Sequence, residues 1–220
     1  MNDAYSLFRY TLPGIVFILE LTFCLLLLDF DGILKILKSL QNQTDYTLLG
    51  IFITFFTIGV GSIFTLIYRS FPSFKIDYSS FLEELNKQKL ISKTSIPFPF
   101  KDENEYYENA WVITSAIWYE RSETENEIKG SKERSLSLAN LMHNAAASMI
   151  GSFFIFLILI FYLYYKHCQN ILFTNFILSI SLSISLFAAH LKSFIESKKA
   201  LKNFTELVIW DTLKKSKKKS

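Results

Sequence analysis

The chain has 220 residues, half of them hydrophobic and 22 of them phenylalanine, with a net charge of +3. A water-soluble domain spreads its apolar residues at a period of 3.6 or 2, whereas here they collect in four long blocks, which argues against that class. Two cysteines, Cys24 and Cys168, do not make a disulfide framework, and with no His/Cys set at zinc spacing and no cofactor motif, neither metal nor cofactor is expected.

The first block, residues 11–30, is long enough to cross the roughly 20 residues' worth of hydrocarbon that a bilayer presents. It is too long for the apolar core of a secretory signal. It also holds Glu20 and is followed by Asp29 and Asp31 instead of a small-residue cleavage site. It therefore reads as a retained span. Pro13 lies near its start, where a missing first-turn N–H costs little. The second block covers residues 46–68. It carries a face of small side chains, Gly50, Thr54, Thr57 and Gly61, at spacings of four, three and four. Such faces let helices approach closely in lipid, within one chain or between copies.

Residues 70–144 are too polar to enter a membrane and read as a helical module. A first helix starts at Asp77 or Ser80, with Ser80 and Glu83 spaced as a capping box, and runs to about Lys89. Pro97 and Pro99 then break regular structure and leave Phe98 and Phe100 as apolar groups in need of a partner. A second helix covers residues 104–125, with Tyr107, Trp111, Thr114, Trp118 and Arg121 on one face. That face suits packing within the module or contact with a partner protein. A third helix starts near Ser131 and continues into the third block, residues 145–165, where Ala147 and Gly151 again offer a close-packing face.

The fourth block covers residues 171–191 and is followed by an amphipathic stretch, residues 193–220, suited to a membrane surface. It ends in five lysines and two serines. Anionic lipid headgroups are the expected partner of that tail. Direct nucleic-acid binding is not expected, because the membrane already lies adjacent. The implied organisation is all-α: spans one and two in residues 1–69, the module in 70–144, spans three and four in 145–192, and the tail in 193–220. Arg9, Arg69, Lys75, Lys87, Lys89, Lys93, Lys101, Arg121, Lys129, Lys132, Arg134 and the tail would share one side of the membrane, against Lys35, Lys38 and Lys166 on the other. The positive-inside rule then puts both termini and the module in the cytoplasm of a cell with a multi-pass protein in its inner membrane.

Glu20 is the sharpest chemical feature, because a charge at mid-span costs several kcal/mol, about 3 or more. By depth, Thr57 in the second span and Ser179 or Ser181 in the fourth lie nearest to it. A carboxyl there is either protonated and bonded to such hydroxyls, or it faces a water-filled path in which a ring of copies acts on cations. Arg121, Arg134 and His143 form the one set suggesting an enzyme acting on lipid or nucleic acid. However, nine steps from Arg134 to His143 turn a helix by about 180°, so the two point apart. That gap is longer than in the arginine–histidine pairs of RNA-cutting HEPN proteins.

The four-pass layout, the L-P-G run at residues 12–14 and the W-Y-E-R run at residues 118–121 resemble small membrane proteins of bacterial antiviral systems. These are the accessory membrane proteins of type VI CRISPR loci and short pore-forming defence effectors. The resemblance implies an oligomeric, non-enzymatic effector that alters membrane permeability when its cytoplasmic module meets a protein or ribonucleoprotein. A membrane anchor that recruits a protein is the competing reading.

Overall fold

The computed structural model describes residues 2–43, 46–90, 108–124, 129–166 and 173–219. Phe98, Phe100 and Cys168 lie outside them. The described residues are all-α, with seven helices and one 3-10 turn, Pro72–Phe74. The helices are α1 Asn2–Leu28, α2 Phe30–Gln43, α3 Tyr46–Ser70, α4 Ser79–Lys87, α5 Ala110–Thr124, α6 Lys129–Lys166 and α7 Phe173–Lys219. Four of them contain stretches long and apolar enough to cross a membrane: Arg9–Leu28, Gly50–Ser70, Ser131–Tyr162 and Thr174–Lys215. The chain divides into two compact units, residues 1–71 with 141–195, and residues 72–140 with 196–220.

In the first unit the outer surface is apolar. Phe55 is 72% and Phe161 77% exposed, and Phe23, Phe52 and Leu66 are also exposed. Side chains of that kind in water would form a patch far larger than soluble monomers tolerate, and hydrocarbon is the solvent that suits them. Hydroxyls are hidden locally: Thr54, Ser62, Thr65 and Ser185 each donate to the carbonyl four residues back, at 2.7–2.8 Å. This back-bonding satisfies each O–H without a partner helix, which suits the exposed Thr54 and Ser185 to an apolar surrounding and leaves the buried Thr65 hydroxyl paired.

Glycine decides the approach of α1 to α3. A Cβ at Gly61 would stand 1.8 Å from the Tyr10 carbonyl oxygen, and one at Gly14 would stand 1.9 Å from that of Thr57. Both contacts are main chain, so only glycine permits this spacing. Beside them Phe17 and Phe64 meet edge to face, with centroids 5.1 Å apart, and Phe64 stacks on Phe154 at 5.6 Å. Gly151 leaves room for the Phe64 ring.

One expectation changes here. Pro13 is buried inside α1, not in its first turn, because the helix begins nine residues earlier than the apolar block. The stretch after the first span, to which the sequence reading assigns no element, is α2. Asp29 breaks the run after α1 and caps α2, its Oδ1 accepting from the Gly32 amide at 3.0 Å while its Oδ2 accepts from the Tyr162 hydroxyl at 3.3 Å.

The second unit has an ordinary apolar core. Phe81, Leu82 and Leu85 of α4, Ala110, Ile113, Ile117 and Trp118 of α5, and Leu201, Ile209 and Leu213 of α7 are buried. The expected capping box at Ser80 and Glu83 does not form. The N-cap is Tyr78, two residues before Ser80, and the helix begins at Ser79. Asp77 Oδ1 instead accepts from the Ser79 amide at 2.9 Å and the Ser79 hydroxyl at 2.7 Å, which holds that carboxyl below its usual range. Glu83 pairs with Lys87 at 2.8 Å. Lys89 takes the left-handed conformation (φ 52°) so that the Leu90 amide can close on the Leu85 carbonyl, ending α4.

The tail stretch is not a separate surface helix. It continues α7, and its Leu201 packs into this unit. Lys214 sits over the Trp210 ring at 4.6 Å and Lys215 pairs with Asp211 at 2.9 Å, so the first lysines of the tail have partners within their own helix.

Candidate functional site

The first unit encloses a line of polar side chains contributed by three helices. Glu20 lies near the middle of the apolar stretch of α1 and is only 7% exposed. Both its carboxyl oxygens are engaged. Oε2 accepts from the Ser152 hydroxyl of α6 at 2.6 Å, and Oε1 meets Nε2 of His190 of α7 at 2.6 Å. The line continues through main-chain carbonyls. Ser183 donates to the Ser152 carbonyl at 3.4 Å, and Ser179 donates to the Cys24 carbonyl at 3.0 Å.

Helix geometry explains the reach. The pairs Cys24–Ser179 and Glu20–His190 show α1 and α7 running antiparallel here. From Cys24 back to Glu20 is about 6 Å of helix, while Ser179 to His190 is about 16 Å. The difference of about 10 Å is closed by the two side chains themselves. Every Cα–Cβ bond leans toward its own helix N-terminus, so in antiparallel helices Glu20 and His190 lean toward each other.

The chemistry of the pair follows from charge balance. Carboxylate with imidazolium, and carboxylic acid with imidazole, are both neutral overall and differ only in the position of one proton. Either arrangement avoids a net charge among apolar helices, and the Ser152 hydroxyl satisfies the remaining oxygen.

The residues singled out by sequence distribute as follows. Thr57 is buried, but its hydroxyl donates to the Thr54 carbonyl at 2.7 Å and it takes no part in the Glu20 cluster. Ser179 bonds near Cys24, one turn from Glu20, while Ser181 is exposed. Of the small-residue face on α3, Gly61 packs on α1, whereas a Cβ at Gly50 would meet nothing within 4 Å. Ala147 and Gly151 are buried on α6 within the unit.

Arg134 and His143 do not share a site. The Arg134 guanidinium lies 5.3 Å from the Phe204 ring centroid in the second unit. His143 Nδ1 hydrogen-bonds the Tyr68 hydroxyl in the first. Arg121 belongs to α5. Trp111 and Trp118, expected on one face, differ: Trp111 is 52% exposed, while Trp118 is buried with its ring 6.3 Å from Phe204. Among the described residues no group of three or more His, Cys, Asp and Glu could hold a metal ion.

Sequence reasoning missed Ser152 and His190 as partners of Glu20. Ser152 sits in the small-residue run around Gly151, and His190 lies at the end of the fourth apolar block, so counting by depth places neither beside Glu20. No family model matches the chain, and neither a curated protein nor a solved structure does.

Proposed function

We propose that this chain is a non-enzymatic integral membrane protein that alters the permeability of its membrane, with the second unit as the part that meets a partner. The observation that carries the reading is Glu20, an ionisable group in the middle of an apolar helix, held by Ser152 at 2.6 Å and His190 at 2.6 Å. Intramembrane acids are costly to keep and mark ion or proton pathways more often than not. The lysine and arginine bias puts both termini on the cytoplasmic side. A setting in antiviral defence is part of the proposal and rests on the layout resemblance alone.

The test is a membrane-potential dye in cells expressing the chain. Depolarisation is expected with the wild type, and its loss with Glu20→Ala at equal membrane abundance. Unchanged potential in the wild type, with and without candidate partners, counts against the reading. A second reading, an anchor that recruits a protein, is favoured by the exposed Trp111 and Val112 on α5. It expects Trp111→Ala to abolish capture of that protein while Glu20→Ala leaves capture intact. The enzyme reading lacks a shared site, since Arg134 and His143 take separate partners.

A further inference from the structure

We propose that Glu20, His190 and Ser152 form a proton-binding site. This deepens the permeability reading by naming the ligand of its central site. Three observations support it. The first is occupancy. Both carboxyl oxygens already have partners at 2.6 Å, and a metal cation would have to displace an imidazole and a hydroxyl to reach them. A proton needs no such displacement. It breaks an O–H bond on Glu20 as it forms an N–H bond on His190, or the reverse, and the pair stays neutral.

The second is access. The His190 side chain is 22% exposed and that of Glu20 9%, so the imidazole is the more accessible member of the pair. Starting from carboxylate and neutral imidazole, one proton from water cancels the net charge of −1 within apolar surroundings.

The third is the lining beyond the pair. The Ser152 hydroxyl also meets the Ser148 carbonyl at 3.2 Å, and Ser183 donates to the Ser152 carbonyl at 3.4 Å. These are neutral groups, so the pair's own proton balances its charge. Around the pair, from α1 comes the titratable Cys24, one turn away. From α6 come the Ser152 hydroxyl and the Ser148 carbonyl that it also meets. From α7 come the hydroxyls Ser179 and Ser183, with the cation Lys192 exposed two residues beyond His190.

The experiment is pH-difference infrared spectroscopy of the full chain in phosphatidylcholine vesicles, with wild type, Glu20→Gln, His190→Gln and Ser152→Ala. A carboxyl C=O band is expected to exchange with imidazole bands as the pH is changed. Glu20→Gln removes the carboxyl band. His190→Gln keeps it and moves its midpoint by about one pH unit or more, the signature of a coupled pair. Identical difference spectra for wild type and Glu20→Gln, or an unmoved midpoint in His190→Gln, overturn the proposal. Should Glu20→Gln not assemble, Ser152→Ala decides: losing one hydroxyl donor moves the wild-type midpoint if Glu20 titrates and leaves it in place if not. Dye-reported flux from the same vesicles is scored separately. Titration without flux contradicts the permeability reading alone, and flux without titration contradicts this proposal alone.

Discussion

Replacing Gly61 with alanine tests whether the contact of α1 with α3 is set by glycine. The added methyl would stand 1.8 Å from the Tyr10 carbonyl oxygen, while ordinary contact begins near 3.4 Å. The helices must therefore part locally by about 1.6 Å, the difference between those values, because a main-chain oxygen has no rotamer to turn aside. A gap of 0.5–1 Å already forfeits about a quarter to a half of a van der Waals contact, so neighbouring contacts weaken too. The Phe17–Phe64 edge pair on the same interface is one of them. Overpacking of this kind costs about 1–3 kcal/mol, and the upper half of that range is expected here. Gly59→Ala is the internal control, since a Cβ there meets nothing within 4 Å. It should be neutral or stabilising by up to about 1 kcal/mol, the entropy that glycine gives up in a helix. The assay is reversible unfolding of the full chain in mixed micelles by stepwise addition of a denaturing detergent. Gly14→Ala should resemble Gly61→Ala. The double variant should cost less than the sum, because one separation relieves both clashes. If Gly61→Ala unfolds at the same detergent fraction as Gly59→Ala, the reasoning fails.

In the second unit Trp118→Ala should cost about 3–5 kcal/mol, since it empties a buried site beside Phe204. Trp111→Ala should stay within about 0.5 kcal/mol. Limited proteolysis with unfolding curves separates the two, and equal effects would contradict the burial described. Asp29→Ala should cost about 0.5–2 kcal/mol through loss of the α2 cap. Amide exchange should accelerate at Gly32, and exchange as slow as in wild type would show that the cap does not form.

The spans were legible because lipid imposes a simple length rule, about 20 apolar residues, that four blocks satisfy. The fold class followed from the same rule. The partners of Glu20 were not legible, because depth counting ranks Cα positions and ignores side-chain direction. Glu20 and His190 differ in depth by several residues and meet only because antiparallel helices tilt their side chains toward each other. Ser152 was overlooked because a small residue inside a helix reads first as a packing position, and only the arrival of Glu20 from α1 gives its hydroxyl a task. Helix α2 left a signal that went unread: Phe30, Ile33, Leu34, Leu37 and Leu40 recur at helical spacing. Trp111 and Trp118 show the opposite failure. Seven residues apart they point nearly the same way, yet a neighbour covers only one of them, and no periodicity reveals where the partner ends.

The measurement that bears most directly on the account is labelling of single introduced cysteines by a membrane-impermeant maleimide in intact cells, in a Cys168→Ser background. If the four candidate spans cross, one crossing, α3, separates Lys38 from Ser131, and two separate Ser131 from Lys215. Lys38→Cys should therefore label from outside, and Ser131→Cys and Lys215→Cys only after permeabilisation. Labelling of Lys38 and Ser131 variants from the same side, or a chain that washes off membranes without detergent, would contradict four crossings.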